Sequence, residues 1–368
     1  MFFLEKRKLA ESARRLNRST DRDVPIAAVE ALVRSHVRPT RLAQILRRVL
    51  DFETDRSAYD AAHPQKEQQK FNHRCDYAGA CRIDDALSLF FDSYDLADAP
   101  GYDADFVARC SAELGAQGYS LLQNFVPSAE CERIVEFLGQ DHLQFREDLS
   151  GKTHRGYSAR NVDATTSNVC RLVDQSALLA CPQVSGLLLN PSLVAIAQAF
   201  LGAPPIHTQV ACWWSTPYSE ELEHIKTAAQ LFHQDRDYIK FLKIFIHLTD
   251  VDETSGPHEF VAGSNADYAV VSKNKQRSSK RLTDAYLRSI YPEARFRKFT
   301  APRGSIILED TSGFHKGNPV VRGHRLMLQL EFVSTLFGNP GYPLRRAALE
   351  HVAAPFSRLD RFFSAYGP

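Results

Sequence analysis

The chain has 368 residues, is 44% hydrophobic and 24% charged, and carries a formal net charge of +1, an ordinary balance for a globular protein with a large core. That near-neutral charge argues against a general nucleic-acid binder or a surface built for polyanions. No apolar run reaches the roughly 18 residues a membrane span needs, and Met1-Phe2-Phe3-Leu4 runs straight into Glu5-Lys6-Arg7-Lys8 without a signal-peptide core, so the expectation is a cytoplasmic protein. The seven cysteines are odd in number and lack a Cys-x-x-Cys pair, and read as reduced, mostly buried thiols. His73, Cys75 and Cys81 lie close together, but their spacing fits no common structural zinc pattern.

Residues 1–50 hold 12 Lys/Arg against 5 Asp/Glu, and residues 51–117 hold 6 against 14. Both stretches place apolar residues at spacings of three and four, such as Leu42, Ile45, Leu46 and Val49, which predicts a helical region over 1–103. Their opposite charges fit two neighbouring halves, or simply two solvated helix faces. From about residue 104 the pattern changes. A helix over Asp105–Leu114 leads through Gly118 into a strand ending at Leu122, and Pro127-Ser128 opens another helix with Ser128 as its N-cap. A third helix covers about Ser192–Leu201. Short strands follow at 206–214, 228–235, 241–249, 258–261, 297–300, 304–309 and 324–333. Short strands after flanking helices predict a mainly β fold of sandwich or jelly-roll type over 104–335, with 336–368 as a C-terminal extension packed on it.

Two of these strands alternate cleanly. Phe241, Lys243, Phe245 and His247 share one face, with Leu242, Ile244, Ile246 and Leu248 on the other. Arg325, Met327, Gln329 and Glu331 likewise alternate with Leu326, Leu328, Leu330 and Phe332. The aliphatic faces are expected to pack against another layer, and the mixed faces to line the interior of the roll. Buried Lys, His, Arg, Gln and Glu are costly without partners or ligands, so the pattern points to a functional cavity.

His233 and Asp235 stand at i and i+2 and point the same way on an extended segment. Alone, His-x-Asp is equally a surface turn. With His315 and Arg325, ten residues further on, it becomes a candidate site. Two imidazoles and one carboxylate hold iron(II) on one face and leave positions for a co-substrate and oxygen, and an arginine can clamp a carboxylate through paired hydrogen bonds.

In these residues the chain resembles the phytanoyl-CoA dioxygenase family of iron(II)- and 2-oxoglutarate-dependent oxygenases, over roughly 104–335. The matching stretches are Leu114–Leu122, Asn190-Pro191-Ser192-Leu193 through Gly202, Trp213 or Trp214, and His233-Gln234-Asp235. They continue with Asp250-Val251-Asp252, Ser255-Gly256-Pro257, Gly263-Ser264, Gly304 eleven residues before His315, and Arg325. The chain departs from the family with Gly304-Ser305 in place of Gly-Asp and with Ser264-Asn265 in place of Ser-His. A shortened His-to-Arg spacing leaves Arg322 as an alternative clamp, though Arg325 lies on the polar face of its strand.

The resemblance implies a double-stranded β-helix (jelly-roll, cupin-like) core, with His233, Asp235 and His315 as iron ligands and Arg325 on the distal carboxylate of 2-oxoglutarate. It also implies Phe245 beside that co-substrate, and molecular oxygen as oxidant with release of succinate and CO2. Because related halogenases replace the carboxylate ligand, Asp235 favours hydroxylation of a small-molecule substrate. Gln230, Lys243, His247 and Gln329 are further candidates for contact with co-substrate or substrate, against the alternative of satisfied interior polar residues. Arg155, Tyr157 and Arg160 are candidates for a substrate loop. The basic run Lys273–Arg281 is read as a lid, an attractor of anionic substrate or a solvated loop. Two other classes remain open at this stage: a non-catalytic jelly-roll binding module, and a metal-dependent cupin-like isomerase or hydrolase that would not need Arg325. The sequence assigns neither the substrate, the oligomeric state nor a role for residues 1–103.

Overall fold

A computed structural model describes residues 1–72, 74–217, 229–267, 281–339, 341–349, 352–357 and 359–367. The chain opens with α1 (Phe2–Ser19), α2 (Ile26–Arg34), α3 (Pro39–Thr54), α4 (Arg56–Ala62), α5 (Gln65–Asn72) and α6 (Tyr77–Ser88). Proline begins α3, where its missing N–H costs nothing, and the Asp55 side chain accepts the Ala58 amide to cap α4. The predicted apolar stripe of α3 is buried and packs on α1. The ion pairs Arg15–Asp51 and Arg22–Asp92 join the basic and acidic halves. Both pairs are partly exposed and contribute little to stability.

The remainder runs α7 (Ala104–Gln117), β1 (Tyr119–Leu122), α8 (Ser128–Leu138), β2 (Gln144–Glu147), β3 (Thr153–Arg155), α9 (Ala159–Asp163), β4 (Val169–Leu172), α10 (Pro182–Leu188) and α11 (Pro191–Leu201). After these come β5 (Ile206–Ser215), β6 (Phe241–His247), β7 (His258–Val261), α12 (Asp284–Arg288), β8 (Phe296–Phe299), β9 (Ile306–Glu309), β10 (His315–Gly317) and β11 (Arg325–Val333). Three local expectations change. Ser128 is the first residue of α8 and Pro127 its cap, without a side-chain cap bond. Residues 144–172 form β2, β3 and β4, which the polar sequence there does not announce. The strand expected over 228–235 is reduced, within the described residues, to bridges at Phe232 and His233, after Ala229 turns with φ +57°.

Eight strands form one antiparallel sheet in the order β1-β9-β6-β11-β5-β4-β2-β3, and three form a second in the order β10-β7-β8. The Phe232–His233 segment bridges to Leu282 and His315 and so extends the small sheet. The chain alternates between the sheets: β5, β6, β9 and β11 lie in the large one, and the 232–233 segment, β7, β8 and β10 in the small one. This alternation makes a mainly β, double-stranded β-helix core, with the helical region before it.

Both faces of the large sheet behave as the alternation requires. Leu242, Ile244, Ile246, Leu326, Leu328, Leu330 and Phe332 join a core with Leu114, Ile134, Leu188 and Leu193 from α7, α8, α10 and α11. On the opposite face Phe245, Ile307 and Met327 meet Phe260 and Phe299 of the small sheet. Gly304 has φ +79°, and a Cβ there would lie 2.0 Å from the Val126 carbonyl oxygen. Only glycine starts the approach to β9 at this position. The stretch Pro182–Leu201 has the length and mean hydropathy, 1.6, of a membrane-crossing helix, and 72% of that apolar window is buried inside the protein.

Helices α1–α6 are not isolated from the roll. Leu9, Leu46 and Ile83 share a cluster with Ile206, Phe241, Val333 and Phe337. Leu344, Phe356 and Phe362 of the C-terminal stretch pack into the core on the outer face of the large sheet. One buried ion pair ties the helices to the roll: Lys240 Nζ lies 3.6 Å from Asp84 Oδ2 of α6, donates to the Phe200 carbonyl and sits 4.6 Å from the Phe200 ring centroid. Burial pushes the Asp84 carboxyl up to about 7 against the pull of Lys240. Removing one partner of such a pair is costly, whereas replacing both by apolar residues often is not. Lys240→Met is therefore expected to lower stability by roughly 3 kcal/mol, and the Lys240→Met/Asp84→Leu double variant to recover most of it, as read from urea unfolding midpoints.

Candidate metal centre

The site begins with one antiparallel bridge. The His233 amide donates to the His315 carbonyl at 2.9 Å, and the His315 amide returns a bond of 3.0 Å to His233. Residues directly opposite in such a pair put their side chains on the same side, and the two rings stand 4.2 Å apart between centroids. Two residues on, the Asp235 amide donates to the Thr311 carbonyl, so its carboxylate returns to the side of His233. The intervening Gln234 turns away and donates to the Ser312 carbonyl at 2.6 Å.

One Asp235 oxygen lies 3.8 Å from His233 Nε2 and the other 3.5 Å from His315 Nε2. The three ligand atoms lie within 4.8 Å of one another, the one such group of His, Cys, Asp or Glu among the described residues. Of the earlier zinc suggestion, His73 falls outside those residues, and Cys75 and Cys81 are free thiols.

The same local device fixes both rings. His233 Nδ1 meets the Leu231 carbonyl at 3.0 Å, and His315 Nδ1 meets the Gly313 carbonyl at 3.0 Å. A carbonyl only accepts, so each Nδ1 carries the proton and each Nε2 presents a lone pair toward Asp235. Burial keeps both rings neutral, holding His315 at about 4 and His233 lower still, where the neighbouring His315 adds to the effect. For Asp235, burial favours the neutral acid, but Lys243 and the two imidazoles outweigh it and hold the carboxyl far below its usual range. Two neutral imidazoles and an ionised carboxylate make a donor set that fits a divalent transition metal.

The loop carrying the distal histidine is anchored by the stretch that departs from the family pattern. Ser264 Oγ accepts the Phe314 amide at 2.8 Å, and Asn265 donates to Asp310 at 2.8 Å.

Lys243 and Arg325 lie on the interior face, and their situations differ. Lys243 Nζ is 2.6 Å from Asp235 Oδ2 and 3.7 Å from Glu331 Oε1. Burial disfavours its charge, yet Asp235, Glu331 and Asp237 raise its pKa overall. Arg325 is 5% exposed. Its Nη1 donates to the Gly256 carbonyl, which a turn delivers: Asp252 Oδ1 accepts the Thr254 and Ser255 amides. Arg325 Nε has no partner, and among the described residues no carboxylate pairs with it. Burial alone lowers the guanidinium to about 10, so it stays charged at neutral pH. Gly317 borders it on the small-sheet side, where a Cβ would come within 3.1 Å of Nη2. Arg322, the alternative clamp, is exposed.

Phe245 faces the same interior, edge-on to Trp213 at 6.4 Å and 5.0 Å from the His258 ring. Trp214 points to the opposite side of the sheet. Gln329 donates to Gln209 at 2.7 Å. Gln230 is buried and accepts from Asn168 at 3.4 Å, with no hydrogen bond to the three ligand residues. Arg155 and Arg160 are exposed, and Tyr157 packs 5.4 Å from the Trp214 ring and bonds to His324, so this trio does not converge on the metal group. Residues 273–280 of the basic run lie outside the described residues. Its last member, Arg281, stands near enough for its charge to act on His233.

Sequence reasoning passed over a buried pair beside the centre. His258 Nε2 lies 3.0 Å from Glu309 Oε2, and its ring stacks 5.6 Å from that of His315. Burial drives both groups toward their neutral forms, with His258 at about 3 and Glu309 well above its ordinary range. A glutamate on an otherwise aliphatic strand was the available signal.

Lys243 acts as the internal counter-charge of the centre. Lys243→Met is expected to cost roughly 3 kcal/mol in metal-free protein by leaving Asp235 and Glu331 without a cation. Nickel should then raise the melting temperature of the variant more than that of the unchanged protein, because the ion neutralises what the lysine no longer does. Equal nickel shifts in thermal melts of the two proteins would contradict this.

Comparison with curated proteins finds no match. Among solved structures the chain is similar to the epimerase SnoN from nogalamycin biosynthesis, in complex with ferric iron, alpha-ketoglutarate and nogalamycin RO, at 15% identity over 63% of this chain and 85% of that one, TM-score 0.42. It is similar to HygX from Streptomyces hygroscopicus with nickel and 2-oxoglutarate bound, at 15% identity over 62% and 87%, TM-score 0.40. It is also similar to the non-heme alpha-ketoglutarate-dependent carbocyclase SnoK from nogalamycin biosynthesis, at 16% identity over 67% and 91%, TM-score 0.38. The sequence model of the phytanoyl-CoA dioxygenase (PhyH) family matches residues 115–324, more than half of the chain and the whole stretch that builds the three-residue group. The chain belongs to the phytanoyl-CoA dioxygenase family.

Proposed function

We propose that the protein is an iron(II)- and 2-oxoglutarate-dependent dioxygenase that hydroxylates a C–H bond of a small molecule. The observation that carries this reading is Arg325. A guanidinium that is buried, charged and without a carboxylate partner among the described residues is a costly feature in a protein interior. It is accounted for if an anionic ligand completes it, and His233, Asp235 and His315 would hold the metal to which the keto-acid end of 2-oxoglutarate binds, leaving its far carboxylate for Arg325. A cupin-like isomerase or hydrolase would have no use for this residue, and a decayed binding module would have no reason to keep three converging ligands.

In this reading His233 and His315 offer their Nε2 lone pairs, Asp235 offers one carboxylate oxygen, and Lys243 holds the other and limits the charge at the centre. Arg325 fixes the length and direction of the co-substrate through paired hydrogen bonds. Phe245, Ile307, Met327, Phe260 and Phe299 keep water from the space between the sheets. Bound iron(II) and 2-oxoglutarate supply the oxygen-dependent oxidation of the substrate, with succinate and CO2 as by-products. Asp235 supports hydroxylation, since it fills the ligand position that a halogenase would open to chloride. Glu331, Gln329 and Gln209 line the interior face away from Arg325 and suit a polar substrate. Residues 104–335 make up the oxygenase unit, with 1–103 and 336–368 packed against it.

With iron(II) and ascorbate, the unchanged protein is expected to release succinate from 2-oxoglutarate. His233→Ala and Asp235→Ala should abolish both iron binding and succinate release, and full turnover by either would end the assignment. For Arg325→Ala, the concentration of 2-oxoglutarate needed for half-maximal succinate release should rise on the order of 100-fold, with iron affinity nearly unchanged. Arg322→Ala should leave that concentration where it was.

A further inference from the structure

Beside Arg325, on the neighbouring strand, stands His247. It is fully buried, and among the described residues neither ring nitrogen has a hydrogen-bond partner. The Ala301 backbone lies close enough to favour a proton on the ring, but no hydrogen bond forms with it. The register places His247 opposite Met327, so it shares the interior face with Arg325, Met327 and Phe245, and its proton affinity responds to the Arg325 charge. A buried imidazole with two unmade hydrogen bonds carries a penalty of the same kind as the unpaired guanidinium next to it. The unpartnered Arg325 Nε and the unpartnered nitrogens of His247 lie on one interior face of adjacent strands, and one incomplete anion site describes them more simply than two separate defects.

We propose that His247 is a second donor to the carboxylate held by Arg325, so that the distal end of the keto-diacid is gripped from two neighbouring strands. The inference rests on the co-substrate reading above and adds to it a residue that determines which acid the pocket accepts. His247 stays neutral, as burial and the Arg325 charge require, and donates one ring N–H. It neither ligates the metal nor touches the oxidised carbon, so its role is to position the co-substrate. Gly317 of the opposite sheet packs close to the guanidinium, with no room for a side chain, and His247 borders the site from the side of β6.

The test compares two acids of equal chain length, 2-oxoglutarate and 2-oxopentanoate, which share the keto-acid end and differ in the distal carboxylate. Their dissociation constants are measured by calorimetry on the full-length, nickel-loaded protein without oxygen, so no turnover is involved. His247→Phe keeps a ring of similar size and removes both nitrogens. It is expected to weaken 2-oxoglutarate about tenfold and leave 2-oxopentanoate unchanged. His247→Gln, which returns an N–H at similar reach, should restore most of the preference. His247→Leu carries the same comparison if His247→Phe does not fold. Equal weakening of both acids, or of neither, would overturn the proposal while leaving the Arg325 reading intact. Equal affinity of the unchanged protein for the two acids would overturn the Arg325 reading, and His247 with it.

Discussion

The centre depends on a single antiparallel bridge between His233 and His315. Two backbone hydrogen bonds set the rings on one side, and the strand period brings Asp235 back to the same side two residues later. Each imidazole is then locked by the carbonyl two residues before it, which fixes the proton on Nδ1 and aims Nε2 inward. Neither ring needs a carboxylate for this orientation. Asp235 therefore remains the one charged member of the group, and the backbone alone sets the ring geometry.

The interior of the roll is then a problem of charge. A large sheet facing a small one across an aromatic layer is a poor environment for ions, yet Lys243, Asp235, Glu331, Glu309, His258, His247 and Arg325 all occupy it. The acids and Lys243 largely settle among themselves: Lys243 offsets Asp235 and Glu331, and His258 and Glu309 pair as neutral groups. What stays unbalanced is the far end, where, among the described residues, Arg325 donates to the Gly256 carbonyl and pairs with no carboxylate, and the His247 nitrogens have no hydrogen-bond partner. One end is internally neutralised and the other keeps an uncompensated cation, and in the proposed reading that asymmetry would give the co-substrate its direction.

Much of this was legible in the sequence because a strand period of two is a strong constraint. The alternations in 241–248 and 325–332 separate the helix-facing side from the interior, and the i, i+2 spacing of His233 and Asp235 predicts their shared side. What was not legible depends on pairing between distant segments. Nothing local announces that His233 faces His315 across a bridge, that His258 meets Glu309, or that Ser264 and Asn265 brace the loop of the distal histidine. The strand expected over 228–235 shrank to two bridges because Ala229 turns with positive φ. Tyr157 is a candidate for a substrate loop from its polar stretch and the family resemblance, whereas its ring packs against Trp214 on the other side of the sheet.

The most direct test is a crystal structure of the protein prepared without oxygen in the presence of iron(II) and 2-oxoglutarate. The account predicts a metal ion bound by His233 Nε2, Asp235 and His315 Nε2, with the keto-acid end of the ligand on the metal and its far carboxylate on Arg325. A metal ion held by other residues, or a ligand whose far carboxylate leaves Arg325 unpaired, would contradict it.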